Sequence, residues 1–79
     1  MKTEEKYITQ GYALAVAEVI RFEDGWSTLV GELVRAFGLT YKSMKAAQVD
    51  DYDLREFRKA ARGDAKARAD LRAGGKPRK

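Results

Sequence analysis

The chain has 79 residues and a mass of 8.9 kDa, room for one small domain and no second. Hydrophobic residues make up 44% and charged residues 35%, a globular balance, and the absence of Cys and His removes disulfides, thiol chemistry, Cys-based zinc sites and the usual general base near neutral pH. The formal net charge of +4 divides into −2 over residues 1–40 and +6 over residues 41–79, so two readings stay open for the second half, a basic end directed at an anionic partner and a solubilising tail.

In chain order, Thr3 stands where it can cap a first helix, with Glu4 and Glu5 favourably placed in the first turn. Ile8, Tyr12, Ala15, Val19 and Phe22 step by four and three and predict the buried face of that helix, widened by Leu14, Val16 and Ile20. A strand over Val16–Phe22 is the competing reading, but Ala13, Ala15 and Ala17 favour helix. Glu23-Asp24-Gly25 predicts a turn, after which Ser27 caps a second helix carrying Leu29, Val30, Leu33, Val34 and Phe37. Gly38 falls where a left-handed helix end is wanted. Thr40 caps a short third helix that runs to about Gln48.

A turn over Val49–Tyr52 follows, and Asp53 with Glu56 fits the capping box of a fourth helix whose narrow apolar stripe is Leu54, Phe57 and Ala61. Gly63 and Asp64 break or restart it. Ala65–Ala73 could be helical, yet with Leu71 as its one large apolar residue it is expected to bury little. GGKPRK should be a flexible basic tail. The expectation is an all-α fold of three to four packed short helices over residues 1–62, followed by a basic, partly disordered C-terminal arm over 63–79. Tyr7, Tyr12, Phe22, Trp26, Phe37 and Phe57 are expected in the core, with Trp26 stapling the second helix. Tyr41 and Tyr52 are the better candidates for exposure.

No apolar run reaches the ~18 residues of a membrane span, and Glu4, Glu5 and Glu18 oppose a signal peptide, so a cytoplasmic protein without membrane association is expected. Asp50, Asp51 and Asp53 lack the glycine and terminal Glu of a calcium loop. No phosphate-binding glycine loop or nucleophile elbow is present. Neither an enzyme nor a cofactor is expected.

Residues 29–48, LVGELVRAFGLTYKSMKAAQ, resemble the helix-turn-helix of small phage and prophage regulators. Leu33, Phe37, Leu39, Met44 and Ala47 match the apolar positions of that family and Gly38 its turn glycine; Val34 stands where the family usually has Ala or Gly. The resemblance implies that the third helix reads DNA, offering Thr40, Tyr41, Lys42, Ser43, Lys45 and Gln48 to phosphates and base edges, with no Arg among them. Asp50, Asp51 and Asp53 would repel phosphate if they shared that side; as caps and turn formers they point to water instead.

From Arg55 to Lys79 there are ten basic and three acidic residues, and Arg58, Lys59, Arg62, Lys66, Arg68 and Arg72 recur on a helical grid that Lys76, Arg78 and Lys79 finish. Such an arm can neutralise phosphates and release counterions. It could equally lie on an acidic protein surface or on ribosomal RNA, or be a solvated helix face. The reading reached from sequence is a small DNA-binding regulatory protein, as a dimer on two half-sites. The alternatives are a protein-binding module that inhibits or adapts a host protein, and an accessory assembly protein.

Overall fold

The computed structural model describes residues 2–73, which form five α-helices and no strand: α1 (Thr3–Glu23), α2 (Thr28–Phe37), α3 (Tyr41–Ala46), α4 (Asp51–Ala61) and α5 (Ala65–Ala73). α2, α3 and α4 each pack against α1 on one side and α5 on the other. The result is a slab 32 × 31 × 16 Å. Its thickness corresponds to two layers of helices packed about 8–10 Å apart.

Local chemistry sets the helix ends. Lys2, in extended conformation, precedes α1, and its backbone N–H donates to Glu5 Oε1 at 3.4 Å. Thr3 is therefore the first helical residue and not the cap, because the Glu5 carboxylate turns back to satisfy the free donor one residue earlier. Asp24 (φ 59°) and Gly25 (φ 137°) close α1, with the Gly25 N–H donating to Ile20 O at 3.0 Å. Ser27 Oγ accepts from the Val30 N–H at 3.1 Å, as expected of a cap. Trp26 packs against the core from the position before that cap and lies across Gly31, where a Cβ would come within 3.3 Å of the indole Nε1.

Gly38 takes the left-handed conformation (φ 66°). The Leu39 N–H then returns to Val34 O at 3.0 Å, and the Leu39 side chain drops into the core. Thr40 and Ser43 cap α3 reciprocally: the Ser43 N–H donates to Thr40 Oγ1 at 2.8 Å and the Thr40 N–H to Ser43 Oγ at 2.9 Å. α3 stops at Ala46, short of Gln48, because Gln48 is left-handed (φ 60°) and turns Val49 inward.

The expected capping box at Asp53 is corrected. Asp50 is the cap of α4, its Oδ1 accepting from the Tyr52 N–H at 2.8 Å. Asp53 sits in the first turn of the helix, buried, with its Oδ1 3.0 Å from Arg21 Nη2. An ion pair across α1 and α4 thus takes a carboxylate that a purely local reading assigns to the cap.

The phase of α1 is also corrected. Its buried side is Ala13, Val16, Ala17 and Ile20. Ile8, Leu14, Tyr7 and Phe22 are exposed, Phe22 at 91%. Tyr12 is only partly covered, its ring stacked on Phe37 with centroids 4.0 Å apart. Of the expected face, Val16 and Ile20 are buried and Val19 partly so, while the centre of the buried side lies toward Ala13 and Ala17. α1 touches three helices, and the small Ala13 and Ala17 let their backbones come close where Tyr12 and Phe22 could not fit.

A third correction concerns residues 65–73. Asp64 Oδ1 accepts from the N–H groups of Lys66 and Ala67, capping α5. Ala67 and Leu71 are fully buried, and Asp70 Oδ2 meets Arg35 Nη1 of α2 at 2.8 Å. The segment read as part of an arm is therefore a fifth core helix. Ala-rich spacing buries little side-chain area, but it brings the helix backbone against α2 and α4. The expected tail, with Lys76, Arg78 and Lys79, lies outside the described residues.

Candidate nucleic-acid interface

Lys42 and Lys45 are exposed on α3, which rests on α1 and α5. Tyr41, at the start of the same helix, lies four residues before Lys45 and shares its face. Its ring is partly buried against the core, and the Arg58 guanidinium of α4 stands over it, 5.8 Å from the centroid. Burial raises the Tyr41 hydroxyl above the ordinary tyrosine pKa; the charges of Arg58, Arg68 and Arg72 oppose that rise, and no carboxylate is among the charges acting on it. The Arg58 guanidinium of α4 therefore stands at the tyrosine that shares a face with Lys45 of α3.

These groups are not equally free. Arg68 Nη1 donates to Ala61 O, which also accepts from the Asp64 N–H, and to Arg62 O, at 3.2 and 2.6 Å, at the end of α4. Arg58 and Arg72 are exposed. Arg62 is exposed just past α4. Lys59 lines a shallow groove with Arg21, Asp24 and Glu56, and Lys66 lines another with Arg35, Asp64 and Asp70, so both lysines stand among charges of either sign.

Within α3, Thr40 is buried and its hydroxyl is taken up by the cap. Ser43 Oγ accepts from Thr40 and lies 3.2 Å from Thr40 O. Gln48 is exposed but follows the end of α3, in its left-handed turn. Lys42 and Lys45 are thus the polar side chains of that set which α3 holds out to solvent.

Arg55, which opens the basic run of the second half, joins this group. It is exposed and stands at i, i+3 and i+7 with Arg58 and Arg62, a spacing that puts all three on one side of α4. Of the acidic group, Asp53 is withdrawn into its pair with Arg21, while Asp50 and Asp51 mark the opposite end of α4, roughly 10 Å along the axis from Arg58. Tyr52 is exposed next to them, with the Arg21 guanidinium 4.8 Å from its centroid. Among the described residues no three His, Cys, Asp or Glu side chains form a metal-holding group, and no helix is long and apolar enough to cross a membrane.

No protein-family model, no curated protein and no solved structure matches this chain.

Proposed function

We propose that this is a small DNA-binding regulatory protein that meets the phosphate backbone with Lys42, Lys45, Arg58 and Arg72, flanked by Arg55 and Arg62. The observation that carries the reading is the Arg58 guanidinium of α4 standing 5.8 Å from the Tyr41 ring of α3, the helix that holds Lys42 and Lys45 out to solvent. Cations drawn from α3, α4 and α5 gain little from one another in the folded chain, and a polyanion that bridges them relieves their repulsion and releases its own counterions.

The resemblance to a helix-turn-helix adds α3 as the element that faces the groove. With six residues, two exposed lysines and the Thr40 and Ser43 hydroxyls held in a cap, α3 offers more to phosphate than to base edges. Binding is therefore expected to be strongly salt-sensitive and only weakly selective for sequence.

Fluorescence anisotropy with a random duplex of about 25 base pairs, at low and moderate salt, tests this. The full chain should bind, and a chain ending at Ala73 should keep part of the affinity, since it retains all five helices. Replacing Lys42 and Lys45 by Ala should weaken that shorter chain, as should Arg58→Ala. Binding that survives all three replacements would place the contact elsewhere, and no binding at low salt would end the proposal.

A further inference from the structure

We propose that the outward face of α1 is a homodimer surface, on which a second copy packs its own α1 antiparallel about Ala15. The proposal does not depend on DNA binding. α1 is apolar on two sides. Ala13, Val16, Ala17 and Ile20 fill the core, while Tyr7, Ile8, Tyr12, Leu14 and Phe22 remain between 39% and 91% exposed. At about 200 Å² for a large side chain, the four whose side chains are not stacked within the chain, Tyr7, Ile8, Leu14 and Phe22, leave roughly 500 Å² open on one helix. That is near the upper end of what a monomer normally shows. A standard interface takes about 800 Å² from each partner, and Gly11, Ala15 and the uncovered part of Val19 lie among the five and extend the face toward that size.

The shape suits a second copy. Ile8 and Phe22 lie seven residues to either side of Ala15. A two-fold axis at Ala15 brings Ile8 of each chain against the other's Phe22 at both ends of the contact, which is the self-complementarity an isologous interface requires. Between them Gly11 and Ala15 are small, and a Cβ on Gly11 would meet nothing within 4 Å, so two helices can approach closely there.

Charge chooses the direction and the occupant. Glu4 and Glu18 belong to the same outward rows. A parallel pair stacks each on its own copy, whereas antiparallel pairing separates the two Glu18 carboxylates by about 9 Å along the axis. Glu18 is already held by Arg21 of its own helix at 3.1 Å. Those carboxylates also oppose an anionic lipid surface.

Sedimentation equilibrium from about 1 μM to about 200 μM, without nucleic acid, reads the result. The expected mass rises to twice the 8.9 kDa of one chain. Phe22→Glu should hold it at the single-chain mass with unchanged helix content, since Phe22 makes almost no contact within the chain. A single-chain mass for the wild type throughout would overturn the proposal, as would a dimer untouched by both Phe22→Glu and Ile8→Glu. The chain has no cysteine, so direction can be read by disulfide trapping. A mixture of Ile8→Cys and Phe22→Cys chains should cross-link to each other, and Ile8→Cys linking instead to itself would refute the antiparallel pairing.

Discussion

Gly38 ends α2 at φ 66°, and an added Cβ would meet no atom within 4 Å. Gly38→Ala is therefore expected to cost about 1 kcal/mol through backbone conformation alone; urea unfolding measures it, and a neutral substitution would show that the turn relaxes. Phe57 is the largest fully buried side chain, and Phe57→Ala should cost about 3–5 kcal/mol in the same assay. Asp53 behaves in the opposite sense to most paired carboxylates. Burial pushes its pKa up, the hydrogen bond and charge of Arg21 pull it down, Asp50 and Glu18 add a smaller push, and the net shift is upward. The folded chain thus holds this proton more tightly than the unfolded chain does. Its contribution to stability is full below the ordinary value of 3.8 and is lost as pH rises through the raised pKa. Asp53→Asn mimics the protonated form, so the melting temperature of the wild type should fall relative to that variant across this window. A difference that grows in favour of the wild type with rising pH would mean that Arg21 outweighs burial.

At the scale of the element, α5 is where a composition-based expectation and packing diverge most. One large apolar residue in nine looks insufficient for a core helix, yet Leu71 and Ala67 are fully enclosed and Asp70 fixes Arg35 across the interface. Leu71→Ala is expected to cost about 2–5 kcal/mol. A chain ending at Arg62 should lose its cooperative thermal transition, and one ending at Ala73 should keep it; equal melting curves for the two would show that α5 is dispensable. α1 poses the converse case. Its outward rows are as apolar as its inward ones, so a sum over its sequence does not say which side is buried.

At the scale of the whole molecule, the slab separates its surfaces by helix. Exposed cations lie on α3, α4 and α5, whereas Tyr7, Tyr12 and Phe22, the exposed large aromatics other than Tyr52 of α4, lie on α1. A charged ligand and an apolar partner can then be taken by different helices of one small core. If phosphates are bound by Lys42 and Lys45, the plot of log affinity against log salt should flatten by about 1 for each lysine replaced, and weaken similarly on every duplex sequence. Loss confined to one sequence would instead assign these lysines to base reading.

The all-helical class, the Ser27 and Thr40 caps, the Gly38 end and the Leu54–Phe57–Ala61 stripe are legible in the sequence because each depends on residues within a turn or two of one another. The basic character of the second half is equally legible, since charge is a property of composition. Tertiary structure decided the rest. It chose the buried side of α1, drew Asp53 from a cap into a pair with Arg21, and made α5 part of the core. It also divided the basic residues, setting Arg58 over Tyr41 while Lys59 and Lys66 line two separate grooves. Periodicity defines the rows of a helix but not which row is covered when several are apolar. That choice depends on how closely neighbouring backbones can approach, and here Ala13, Ala17 and Ala67 set the approach.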